Sequence, residues 1–114
     1  MMTNKFQKAY LEDKIFKNSI SLEKYSLNDL AWNKKSALDM LNFILDENLG
    51  VFGGDVYQLT EKGIIFSGEN WVSEPNEGED KNAFFLRSKL EAIKYIQAFP
   101  VEEGENIVFA IVFT

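Results

Sequence analysis

The sequence predicts an α+β fold: a small, largely antiparallel sheet with helices packed on it, in the order α-α-β-β-α-β. Three observations carry this. An amphipathic stretch follows Asn33, two β-rich runs flank the turn Thr60-Glu61-Lys62-Gly63, and a second helical stretch ends at Pro100 just before the apolar run IVFAIVF. With 114 residues the chain can bury one core and not two, so residues 1–114 read as a single domain.

The elements follow in order. Residues 4–18 place Phe6, Tyr10, Leu11 and Ile15 at spacings that predict a short amphipathic helix. Residues 19–32 read as loop, with a short extended piece near Leu30-Ala31-Trp32. Trp32 precedes a helix start and reads as a core or staple residue. Asn33 is a natural N-cap. After it, Ala37, Leu41, Ile44 and Leu45 form one stripe opposite Lys35, Asp39, Asn42 and Asp46, predicting a helix over 34–47. Asn48 and Gly50 supply its stop.

Residues 51–59 and 63–72 are rich in β-branched and aromatic side chains, and the turn between them makes them an antiparallel hairpin. Residues 73–80, SEPNEGED, form a loop broken by Pro75 and Gly78, and Asp80 can cap the helix that follows. Leu86, Leu90, Ile93 and Ile96 recur at helical spacing from Lys81 to Phe99. The strand 107–113 is apolar on both faces, as a central strand covered on both sides would be.

Composition excludes several chemistries. The chain contains no His and no Cys, so imidazole bases, Ser-His or Cys-His nucleophiles and the usual zinc sites are absent. No cofactor and no metal is expected. No run is long and apolar enough for a membrane span, the N-terminal MMTNKFQKAYLEDK lacks the apolar stretch of a signal peptide, and the absence of Cys suits a reducing cytosol, so the expected location is cytoplasmic. The net charge of −6 is uneven: residues 1–36 carry seven Lys against four acids, and residues 37–114 carry five basic side chains against fourteen acids. That second part disfavours nucleic acid and suits a basic partner. Charge kept for solubility is the alternative.

Gly53-Gly54-Asp55 interrupts the first β run. It is not a Walker loop, and no helix follows it as a dinucleotide fingerprint requires. It is similar to the start of the GGDEF signature of cyclic-dinucleotide synthases, but Val56-Tyr57 follows the Asp, and those domains are longer and richer in metal-binding acids. Paired glycines in a strand predict a bulge or the close approach of another backbone, leaving Asp55 to bond local amides or face a partner.

Glu69, Glu74, Glu77, Glu79 and Asp80 gather within twelve residues with no Lys or Arg among them. They lack the spacing of a calcium loop. They read either as a solvated loop or as an edge that meets the Lys and Arg of a partner. Trp71 is either an anchor beside that acidic rim or a core residue at a strand end. Arg87 can pair with one of these carboxylates and order the loop.

Several of these pieces occur together in one family. The segment ISLEKYSLNDLAWNKKSALDMLNFILDENLGVFGGDVY, with Ser21-Leu22, Ala31-Trp32, Ala37-Leu38 and Gly53-Gly54-Asp55-Val56-Tyr57, resembles the Immunity protein 40 family of bacterial polymorphic-toxin systems. Asn70-Trp71, Arg87-Ser88, Ala92, Tyr95-Ile96 and the terminal FAIVF extend the likeness across most of residues 15–114. The resemblance implies a small cytoplasmic antitoxin, without catalysis, that binds a toxin domain. The physical argument places the toxin-facing edge at Glu69, Trp71, Glu74, Glu77, Glu79 and Asp80, flanked by Asp55 and Tyr57 on the paired strand. Two rival readings stand beside it: an oligomerisation module that pairs through the hairpin edge, and a carboxylate-dependent hydrolase.

Overall fold

The computed structural model describes residues 5–114, with side chains from residue 10 onward. Phe6 and Asn4, counted in the first helix by the sequence reading, lie outside the described side chains and residues respectively. The elements are α1 (Lys5–Phe16), β1 (Ile20–Ser21), a single 3-10 turn (Glu23–Tyr25), β2 (Leu30–Asn33), α2 (Lys34–Phe43), β3 (Val51–Thr60), β4 (Gly63–Val72), α3 (Lys81–Ala98) and β5 (Ile107–Phe113). The five strands form one antiparallel sheet in the order β1-β2-β5-β3-β4. The α+β class and the antiparallel sheet are as the sequence predicts. The pairing of β1 with β2 is an addition, because a two-residue strand is too short to show any period.

α2 starts where Asn33 accepts a hydrogen bond from the Ser36 amide at 2.8 Å. It ends earlier than predicted, at Phe43, and Ile44 and Leu45 continue into turns. The β3–β4 hairpin closes with Thr60 opposite Gly63. β5 lies between β2 and β3, as its apolar sequence requires.

Alternation along the strands divides the sheet into two faces. The helix-covered face holds Trp32, Val51, Val56, Trp71, Ile107, Phe109 and Ile111, packed with Ala37, Leu41, Ala92 and Ile96 of the helices. On the opposite face, the segment carrying Leu22, Tyr25 and Leu27 packs against Ala31, Leu59, Val108 and Ala110. This cover is partial. β5 was expected to be covered on both sides along its length, yet Val112 at its far end stands exposed.

α3 corrects the predicted stripe. Leu86 and Leu90 are exposed, whereas Phe84, Phe85, Ser88, Lys89, Ala92 and Ile96 are buried. The small Ser88 and Ala92 let the helix lie close to the sheet, and the Ser88 hydroxyl accepts from the Val51 amide at 3.0 Å. A lysine and a serine within the true stripe hide it from any count of apolar residues.

Lys89 is 1% exposed. Its ammonium donates to the carbonyls of Ile44 at 2.9 Å and Glu47 at 2.7 Å, just past the end of α2. Burial pushes its pKa down, against the pull of Glu47 and Asp46. Lys34, at the start of α2, returns the arrangement by donating to Gln97 and Phe99 carbonyls at the end of α3. Each helix therefore supplies a cation to carbonyls at, or just past, the C-terminal end of the other.

Candidate functional site

The paired glycines are structural. β3 is irregular against β5 between Val51 and Gly53, as a bulge would make it. Gly53 has φ of 150°, and a Cβ there would run into the Trp71 carbonyl oxygen and come within 3.1 Å of the Val72 Cα. Gly54 lies directly beneath the Trp71 ring, and a Cβ there would also meet the Ala110 carbonyl oxygen at 2.6 Å. Both predicted uses of the glycines, bulge and close backbone approach, are present.

That vacancy decides Trp71. Its partner in register is Gly54, so the indole lies on the helix-covered face and stacks on Tyr95 with ring centroids 4.7 Å apart. Of the two readings of Trp71, the core one holds; it is buried and offers no anchor on the surface. Its indole N–H and the Tyr95 hydroxyl are buried without a hydrogen-bond partner among the described residues. Alongside Tyr95, a shallow groove is lined by Glu69, Glu91, Lys94 and Phe99.

The acidic loop is ordered by Arg87, as the sequence suggested. The guanidinium donates to Glu79 through Nε at 2.7 Å and Nη2 at 2.8 Å. It also donates to Glu91 at 2.8 Å and to the Glu74 carbonyl at 2.6 Å. Glu79 accepts from the Asn76 amide as well, and Asp80 caps α3 by accepting from the Asn82 amide at 3.2 Å. Two of the five acids are thus occupied within the molecule. Glu69, Glu74 and Glu77 remain exposed with their carboxylates in no ion pair among the described residues.

Arg87, and then the Asn76 amide, hold the Glu79 carboxyl at about 2. The folded value lies below the unfolded one, so the stabilisation from this group is complete above the ordinary carboxylate range. It is lost as pH falls from that range through about 2. An NMR titration of Glu79 is expected to give a midpoint near that value, and Arg87→Gln to raise it toward the ordinary range. An ordinary midpoint in the wild type would remove the account.

Asp55 and Tyr57 do not flank this loop. They pair with Asn70 and Phe66 on the opposite face of the sheet from Trp71 and α3, because residue parity along β3 turns them outward. Tyr57 meets Phe66 edge-on at 5.4 Å. Partial burial first, then the charges of Asp55 and Asp29, push the Tyr57 phenol up, so it remains a neutral donor. The predicted edge is therefore three separate places: the Arg87-ordered loop, the groove beside Glu69, and the open sheet face. Sequence reasoning missed the exposed Phe66, Val72 and Val112 on that last face. Their signal was parity with Asp55 and Tyr57, which needed the registers of three strands.

Among the described residues no helix is long and apolar enough to cross a membrane, and no group of His, Cys, Asp and Glu could hold a metal. The family model described as Immunity protein 40 matches residues 21–113. No curated protein and no solved structure matches the chain.

Proposed function

The chain belongs to the Immunity protein 40 family, and from that premise we propose that it binds and neutralises a bacterial toxin domain in the cytoplasm, with no catalysis of its own. The observation that carries this reading is the family match across residues 21–113. The toxin we favour has a basic cleft, as a nuclease has, with carboxylates of this protein standing where phosphates would lie. The acidic balance of residues 37–114 supports such a partner. So does the loop 73–80, where Arg87 fixes the backbone while Glu74 and Glu77 stay free. A loop already ordered loses little conformational entropy on binding.

The test is co-expression with the toxin domain encoded beside this gene. Survival together with a co-purifying complex is expected. Glu74→Lys with Glu77→Lys is expected to slow association about tenfold at low ionic strength, because rim charges act chiefly on encounter. Association at the wild-type rate in low salt would exclude the loop from the interface. A toxin that kills despite co-expression, with no complex, would remove the antitoxin reading.

A further inference from the structure

The outward face of an antiparallel sheet in a two-layer domain normally alternates to polar residues, because water covers it. Here it does not. Across β4, β3 and β5 one row reads Val72–Gly53–Val112, and the next reads Asn70–Asp55–Ala110. Phe66 and Tyr57 form the row beyond. Val72 is 69% exposed, Phe66 62% and Val112 53%. The covering segment with Leu22, Tyr25 and Leu27 stops short of them. Gly53, between the two valines, is itself buried, and its backbone is held close to β4, since any side chain there would strike the backbone of Trp71. In the next row stands Asp55, exposed, with no ion pair or hydrogen bond from its carboxylate among the described residues. Large exposed apolar side chains thus flank Asp55 on both sides, Val72 and Val112 in the row before it and Phe66 in the row beyond.

We infer that this open sheet face is a second contact surface for the toxin, with apolar side chains of the toxin against Val72, Val112 and Phe66 and a Lys or Arg of the toxin on Asp55. The inference rests on the antitoxin reading and deepens it. Charge selects the occupant. A second copy of this chain presents the same unpaired Asp55 on the same face and no cation in the rows beside it. A basic partner supplies the missing countercharge.

The experiment titrates the full chain with the same toxin domain by calorimetry. It compares wild type, Asp55→Lys, and the double variant Val72→Thr with Val112→Thr, with circular dichroism confirming that each is folded. Asp55→Lys is expected to weaken the complex about 30-fold or more, as loss of a partly desolvated charge pair does. The valine double variant is expected to weaken it several-fold. Wild-type affinity in both variants, alongside a loss on reversing Glu74 and Glu77, would overturn this face and leave the antitoxin reading standing. No complex with the wild type would overturn both. A wild-type dimer that the valine variant splits would assign the face to a second copy and overturn the inference.

Discussion

Gly53→Ala is expected to destabilise the protein by roughly 3 kcal/mol or more, seen as a lower urea midpoint with an unchanged slope. Two effects act together. The backbone at Gly53 has φ of 150°, which a side chain disfavours. The new Cβ would meet the Trp71 carbonyl oxygen and the Val72 Cα. Both are main-chain atoms of the paired strand, so no rotamer change relieves the clash. The strands must separate, and separation there also lifts Trp71 from Gly54 and loosens its stack on Tyr95. A midpoint equal to the wild type would mean that the β3–β4 register can shift at little cost.

Lys89→Ala is expected to cost about 3 kcal/mol, with Lys89→Met between it and the wild type. Alanine leaves a cavity where the buried stem lay and removes two charge-assisted hydrogen bonds to Ile44 and Glu47. Methionine refills most of the space and restores neither bond. The comparison separates packing from hydrogen bonding. The opposing contribution is the cost of keeping an ammonium away from water, which methionine abolishes. A methionine variant more stable than the wild type would show that this cost exceeds the two bonds. Chemical denaturation of the three proteins at one pH decides the order.

What was legible in the sequence was local. Asn33 caps α2 because its side chain reaches an amide three residues on, and such a signal is complete within one turn. The hairpin turn and the stop at Pro100 are equally self-contained. The register of α3 was not legible, because two polar residues of its buried stripe, Ser88 and Lys89, take their places from partners on β3 and at the end of α2. Trp71 had two readings until Gly54 was known to be its neighbour across the ladder. The candidate site was visible as a set of residues and not as surfaces. Asp55 and Glu69 both look like parts of one acidic edge, and strand parity sends Asp55 to the far side of the sheet.

The place of β5 has a consequence for how the chain is made. Phe109 is in register with Trp32 on one side and with Val56 on the other. Before residues 107–113 leave the ribosome, the β1–β2 pair and the β3–β4 hairpin are two half-sheets with no strand in common. Each then presents apolar side chains that the finished molecule hides. Distant pairings of this kind slow folding, and exposed half-sheets invite aggregation or proteolysis while they wait. The sheet is thus complete only once β5 has joined its two halves.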